Sequence, residues 1–520
     1  VRRTVVFRRT EPAMRAALLA TAIPALVACF ARSDPPGAER QGGATVVIAD
    51  ERSAIIAGQG PQKPAAPGSI EDNLPFSPTG ERAASIAWRS WIYTDVGRER
   101  TRYGYLRAGA VVDVRGPAIQ NDGCDGGWYR VNPRGFLCLG LGATLDLKHP
   151  VAVASERRAI RGQGLPYFYA LSNETAPLLY FRLPSLREMR ESEATDISGR
   201  SAVLRERFKG RSLDALLGGG QPPAFLEGGA RLSKPHGVKQ PLRFLYHAGQ
   251  ASPDSGFALS QSFDWEGRLF GLTTELDLVA LDRTKPVVPS NFRGVALAEG
   301  EDLPAGFAYP YPTERYARQE ATGQLVPTGM LGYREAVVLS GEQRANGMAE
   351  TSAGFWVNTG SLRMIPRRTS FPSFATGDRK WLDISVKNQS LVAYVGQRPV
   401  YATLVSTGRA GMMDPEKTDA TVRGSFMIYQ KEVSSTMDGD EDRADSFNLH
   451  DVPFVQYFHK GYALHGTYWH DDFGKTRSHG CVNLAPIDAA WLFEWTDPVV
   501  PPDWHGVLNK ERGTVVYVHV

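Results

Sequence analysis

A chain of 520 residues is too long for one ordinary core and predicts several domains. Its 42% hydrophobic and 22% charged residues are ordinary for a globular protein. A net charge of +3 with no dense Lys/Arg stripe leaves no electrostatic footprint for nucleic acid, so no such partner is expected.

The N-terminus reads as an export signal. Arg2, Arg3, Arg8, Arg9 and Arg15 precede an apolar run from Ala16 to Val27, too short for a comfortable membrane span. The run ends Leu26-Val27-Ala28-Cys29, which resembles the lipobox of bacterial lipoproteins. That resemblance implies lipidation of Cys29, which becomes the mature N-terminus. Val27 stands where the motif usually has a small residue, so ordinary secretory cleavage is the alternative. Arg2-Arg3 hints at a twin-arginine signal, and Met14 is an alternative start. The expected location is the exported bacterial envelope (periplasm), with the membrane touched only through the lipid. Residues 30–84, rich in Pro, Gly, Ala and Gln, predict a flexible tether.

From 85 to 148 short apolar runs alternate with glycine. Trp91-Ile92-Tyr93, Tyr105-Leu106, Val111 to Val114, Gly127 to Val131 and Gly135 to Leu137 predict about five strands. The Gly127-Trp128-Tyr129-Arg130-Val131 run resembles a recurring strand of bacterial SH3-like domains, which bind wall peptides or act as spacers. Cys124 and Cys138 lie 14 residues apart here. In an oxidising compartment they could pair and close a loop worth roughly 3 kcal/mol; two buried thiols are the alternative.

Residues 149–375 predict a β-rich scaffold with helices near Ser185–Glu193 and Ser201–Leu217. Two stretches echo each other at a spacing of about 85 residues: Gly267-Arg268-Leu269-Phe270 onward to Phe292, and Gly354-Phe355-Trp356-Val357 onward to Phe374. They suggest two related modules of the same SH3-like kind. From 379 to 520 period-two alternation predicts an antiparallel meander over Leu382–Val386, Leu391–Val395 and Pro399–Thr407. Pro486 to Trp495 predicts a short helix with Ile487, Ala490, Trp491 and Trp495 on one face. Gly513 to Val520 predicts a closing strand.

Seven of the ten histidines follow residue 449, and one constellation carries chemistry: His465-Gly466-Thr467, then Arg477-Ser478-His479-Gly480-Cys481-Val482-Asn483. A thiol attacks carbonyls as thiolate and needs a base nearby. Gly480 allows the tight turn that exposes sulfur and aims amides at one point. Cys481 is also the cysteine left over once Cys29 and the Cys124–Cys138 pair are assigned.

These residues resemble the L,D-transpeptidase family with its YkuD-like catalytic domain. The fold class expected on the resemblance is mainly β and multi-domain: a C-terminal YkuD-like β-sandwich with a short helix, preceded by SH3-like small β-barrel modules. The family's Thr-Pro-x-Gly turn is represented by Thr421-Val422-Arg423-Gly424, without the proline. The resemblance implies Cys481 as nucleophile and His465 as its base. His479, Gly480, Ser478 and Asn483 would line the site and its oxyanion hole. Tyr457, Tyr462 and Arg477 are candidates to meet substrate, each with a packed or solvated role as the alternative. The implied substrates are peptidoglycan stem peptides: Cys481 displaces D-Ala, and an amine on a second stem, or on an envelope protein, resolves the thioester. Water as acceptor would make an L,D-carboxypeptidase. Family members are acylated by carbapenems. A papain-like amidase is disfavoured because His465 precedes Cys481. A non-catalytic wall-binding lipoprotein is the reading from another class. The clustered His450, His459, His465, His470, Asp471, Asp472 and His479 show no metal-site spacing, so neither metal nor cofactor is expected.

Overall fold

The computed structural model describes residues 80–193, 200–208, 220–238, 246–253, 255–343, 346–438 and 448–520. The expected signal segment, Cys29 and the tether up to residue 79 lie outside the described residues. So does the predicted helix beyond residue 208.

The chain is mainly β and repeats one seven-strand pattern three times. The first unit holds β1 (Arg82–Ser85), β2 (Ser90–Tyr93), β3 (Arg102–Leu106), β4 (Val111–Asn121), β5 (Cys124–Val131), β6 (Phe136–Cys138) and β7 (Ala143–Thr144). The second holds β8 (Phe168–Ser172), β9 (Leu178–Tyr180), β10 (His247–Gln250), β11 (Gly256–Trp265), β12 (Arg268–Thr273), β13 (Leu278–Ala280) and β14 (Thr284–Pro286). A short β15 (Val295–Ala296) follows. The third holds β16 (Ala305–Ala308), β17 (Thr313–Arg318), β18 (Leu325–Leu331), β19 (Ala336–Gln343), β20 (Met348–Thr351), β21 (Trp356–Asn358) and β22 (Leu362–Ile365). In every unit the first strand pairs with the fourth and the seventh. The second pairs with the third and the sixth. The fourth, fifth and sixth form a meander.

The register repeats as well as the topology. Phe270 faces Ala280 and Gly271 faces Val279 in the second unit; Met348 faces Asn358 and Ala349 faces Val357 in the third. The turn between those strands is closed the same way, Thr273 N–H to Asp277 O and Thr351 N–H to Phe355 O, both 2.8 Å. Leu276 (φ 64) and Gly354 (φ 81) take the left-handed position in it. The structural spacing is thus 78 residues, not about 85, and Gly354 corresponds to Leu276 rather than to Gly267. Backbone turn bonds carry the repeat; the glycines that suggested the alignment do not. The first unit also starts earlier than expected. Ala83 and Ala84, read as tether, are fully buried in β1; such small residues carry no β signal of their own.

Among the described residues, three helices sit in the scaffold: α1 (Pro150–Ala154), α2 (Leu186–Glu193) and α3 (Arg200–Phe208). Ser185 starts α2 with a reciprocal cap, its amide donating to the Glu188 carboxylate at 2.9 Å and its hydroxyl accepting from the Glu188 amide at 3.3 Å.

The C-terminal domain comprises β23 (Lys380–Ser385), β24 (Ser390–Val395), β25 (Arg398–Leu404), β26 (Gly424–Met427), β27 (Gln430–Asp438), β28 (Asn448–His459), β29 (Tyr462–Gly466), β30 (Val482–Leu484), α4 (Pro486–Trp495), β31 (Gly506–Leu508) and β32 (Val515–His519). One sheet runs β15-β25-β24-β23-β32-β26, so the connector strand β15 from the scaffold forms its edge. In the second sheet β30, β29, β28, β27 and β31 are successive neighbours, and β31 pairs onward with β3 of the first unit. Leu382, Ile384 and Leu391 of one sheet share a core with Phe454, Leu464 and Val482 of the other and with Leu492 and Phe493 of α4. Each such side chain contributes roughly 1.5–3 kcal/mol by leaving water, which holds the sheets in place around the site.

The predicted face of α4 is corrected in part: Ala490 is buried and Trp491 and Trp495 pack against the core as expected, but Ile487 is 39% exposed and Ala489, Leu492 and Phe493 are buried as well. The cause is a polar anchor on the inner side: Asp488 is fully buried and accepts from Tyr401 (2.6 Å), Thr403 and the Gly294 amide (2.9 Å). Trp491 covers the flank by stacking on Tyr401 at 4.2 Å.

Candidate active site

β28 turns through Lys460 and Gly461 into β29, and a loop over residues 467–481 returns the chain to β30. β29 and β30 run parallel, with His465 opposite Asn483. Side chains alternate along strands, so His465 and Asn483 share a face. Cys481, two residues before Asn483, extends that face as the diagonal neighbour of His465. Cys481 is buried and outside the disulfide, and its thiol points to Gly461 O at 3.8 Å.

His465 is fully buried, and burial pushes its pKa down to about 4. It is a neutral imidazole at ordinary pH. Its Nδ1 lies 3.0 Å from Gly466 O, so the ring proton sits on Nδ1 and the Nε2 lone pair is left to accept a proton. Trp469 lies alongside, ring centroids 5.9 Å apart.

His470 is neutral too, but carries its proton on the other ring nitrogen. Burial, with Arg477 adding to it, pushes its pKa down to about 4. Asp472 N–H donates to its Nδ1 at 3.2 Å, so its single proton is on Nε2. The Asn483 side-chain amide meets Nε2 with Nδ2 at 2.9 Å while Oδ1 is buried without a partner. Half a turn of the amide places Oδ1 against Nε2–H as its acceptor, which is the orientation that hydrogen bond requires.

The turn carrying Cys481 is tied down from three sides. Ser478 Oγ donates to Cys481 O and accepts the Gly480 amide at 3.1 Å. Thr421 Oγ1 donates to Gly480 O and accepts the Gly408 amide, both at 2.8 Å. Ser406 and Asn483 exchange backbone bonds of 2.9 and 2.8 Å. Gly480 is at φ 125, and a Cβ there would lie 2.8 Å from the Tyr462 ring. The Gly480 amide is thus engaged by the Ser478 hydroxyl. Thr421 holds the turn without the proline of the family pattern.

The other expected residues fall as follows. Tyr462 covers Gly480 and donates to Pro415 O at 3.3 Å. Tyr457 is buried on β28, and burial raises its phenol well above the usual range. Arg477 is on the surface beside Asp472 at 3.6 Å. His479 is half-buried. Cys124 and Cys138 form a disulfide in the first unit, linking the start of β5 to the end of β6. Among the described residues no group of three or more His, Cys, Asp or Glu is placed to hold a metal.

Sequence reasoning missed what the scaffold does here. Cys481 shares an apolar cluster with Tyr169 and Ala258 of the second unit. Tyr169 stacks on Tyr468 at 4.1 Å and donates to Asp451 O at 2.6 Å. On the other side Arg334 of the third unit donates to Asp471 O at 2.9 Å and to its carboxylate at 2.5 Å, and Arg363 donates to Gly474 O at 3.2 Å. Both arginines grip the loop that carries Trp469 and His470. These partners are more than a hundred residues from the motif, and no local pattern marks them.

Residues 379–518 match the family model of the YkuD L,D-transpeptidase catalytic domain. The C-terminal domain is thus YkuD-like. The chain is 28% identical over 126 residues to the Bacillus subtilis (strain 168) protein YciB, named for a proposed L,D-transpeptidase activity, covering 22% of this chain and 59% of that relative. Among solved structures, an L,D-transpeptidase from Xylanimonas cellulosilytica is 24% identical, covering 29% of this chain and 65% of that one with a TM-score of 0.19. The catalytic domain of the E. faecium L,D-transpeptidase is 22% identical, covering 27% and 98% with a TM-score of 0.21.

Proposed function

We propose that this chain is a peptidoglycan L,D-transpeptidase working through a Cys481 thioester. The observation that carries the reading is the placement of Cys481 and a neutral, Nδ1-protonated His465 on one face of the β29–β30 pair. His465 Nε2 takes the thiol proton, and the thiolate attacks the carbonyl of the third stem residue. The carbon–nitrogen bond to D-Ala breaks, and the proton on His465 leaves with the D-Ala amine. An amine from a second stem, or from an envelope protein, then attacks the thioester. His465 accepts the amine proton and returns it to the departing sulfur, which restores the thiol and leaves a 3→3 cross-link or a protein–wall bond. The amides beside Cys481 are the candidates to receive the oxyanion.

The three seven-strand units fit the reading as SH3-like modules, supported by their shared pairing scheme. Lipidation of Cys29 and an envelope location complete it. The test is incubation of purified sacculi with the chain, followed by identification of the muropeptides. New 3→3 dimers with released D-Ala support the reading. Tripeptides alone assign an L,D-carboxypeptidase, protein-linked tripeptides assign anchoring, and unchanged muropeptides contradict catalysis.

A further inference from the structure

We infer, resting on the catalytic reading of Cys481 and His465, that His470 is a positioning residue for that pair, acting through the Asn483 side chain.

Hydrogen bonds close a circuit through four residues. His470 accepts the Asp472 amide on Nδ1 at 3.2 Å and meets the Asn483 side chain through Nε2 at 2.9 Å. Asp472 O accepts the Ser406 hydroxyl at 2.9 Å. Ser406 exchanges two backbone bonds with Asn483, of 2.9 and 2.8 Å. The path from Asn483 through Ser406, Asp472 and His470 thus returns to Asn483. Each member is held from two sides, and the Asn483 amide cannot turn without breaking the Nε2 bond. Asn483 is buried and is the register partner of His465. What holds its side chain therefore holds the strand face on which thiol and base meet.

The His470 ring is itself fixed. Trp469 meets it edge-on with centroids 6.0 Å apart, and Phe473 lies at 5.6 Å. Phe473 is fully buried and stacks on Phe292 at 5.7 Å. The charged and titratable groups around the ring are Arg477, Asp472, His465 and Asp471. The circuit needs the neutral imidazole, which accepts on one nitrogen and donates on the other. Substitution separates the two halves of that role. His470→Gln keeps an amide donor near the Nε2 position, within reach of Asn483. His470→Asn keeps an acceptor near the Nδ1 position but is too short to reach Asn483. Without the bond from Nε2, the Asn483 amide is free to turn beside His465 and water gains access to that imidazole, weakening the desolvation that keeps it neutral.

The test is the pH dependence of carbapenem acylation at Cys481 in the full chain, followed by intact mass, for wild type, His470→Asn, His470→Gln and Ser406→Ala. His470→Asn should slow acylation about tenfold or more at neutral pH. Its acid limb should move up by about one pH unit or more, as His465 drifts from about 4 toward its ordinary value. His470→Gln should stay within about threefold of wild type with the limb unmoved. A merely structural role would lower the melting temperature and leave the limb where it was. Ser406→Ala opens the circuit without touching the ring, so it should shift the limb the same way, and it decides the question if His470→Asn does not fold. An unmoved limb in His470→Asn or in Ser406→Ala, or His470→Gln as slow as His470→Asn, would overturn the inference. A wild-type chain with no adduct on Cys481 would instead sink the catalytic reading, and this inference with it.

Discussion

Arg107 of the first unit and Asp451 on β28 form a buried ion pair across 344 positions of sequence, Nη2 lying 3.0 Å from Oδ2. Burial pushes the Asp451 carboxyl up; Arg107 with the Ser434 and Thr274 hydroxyls outweighs it and holds the group below its usual range. Arg107→Ala leaves that carboxylate buried and uncompensated, at about 3–5 kcal/mol. Chemical denaturation should show the loss, and Arg107→Met combined with Asp451→Leu should recover most of it. A single substitution within about 1 kcal/mol of wild type would refute the account of this joint.

Stability should fall as pH drops below neutrality. Burial depresses His465 and His470 to about 4 and His505 to about 3. Below an unfolded value near 6.5 the unfolded chain binds protons that the folded chain refuses, so each group removes about 1.4 kcal/mol per pH unit until its folded pKa is reached. His450, raised beside Glu275 against its own burial, and Asp488, pushed up to about 6 by burial, work the other way over this range but are two groups against three. Denaturation midpoints at pH 7, 6 and 5 should decline in order; a flat or rising series would contradict the burial argument.

Thr421→Val keeps the volume but removes the hydroxyl that joins Gly408 to Gly480. It strands a buried amide and a buried carbonyl, a loss of about 1–3 kcal/mol. Carbapenem acylation of Cys481 should slow at least tenfold, and Thr421→Ser should restore it. Wild-type acylation in the valine variant would show that this tie does not position the thiol.

Arg334 should matter to the site although it lies in the third unit. Arg334→Leu removes both bonds to Asp471, freeing the loop with Trp469 and His470. Amide exchange over residues 469–475 should rise and acylation should slow about tenfold, with little recovery in Arg334→Lys, which lacks the two-pronged fork. Unchanged exchange would assign Arg334 a local structural role alone.

The proposed catalytic pair is suggested by sequence alone because it is local: His465 lies near the end of β29, Cys481 sits in the turn leading into β30, and thiol chemistry restricts which residues can serve. Alternation likewise exposed the β23–β25 meander. What failed to show were relationships without a local signal. In α4 the inward packing of Ala490, Trp491 and Trp495 is legible, but the burial of Asp488, on what a hydropathy pattern reads as the outer side, is not. The unit repeat was misaligned because left-handed geometry at Leu276 and Gly354 is a backbone property shared by unlike residues. The grips of Arg107 and Arg334 on the C-terminal domain depend on how distant units pack.

The central claim is that Cys481 is the nucleophile and His465 its base. Intact-mass measurement and peptide mapping after incubation with a carbapenem test it most directly. One adduct on the peptide containing Cys481 is predicted, absent in Cys481→Ala and formed about 10²–10⁴-fold more slowly in His465→Gln. An adduct that survives Cys481→Ala, or forms at the wild-type rate in His465→Gln, would contradict it.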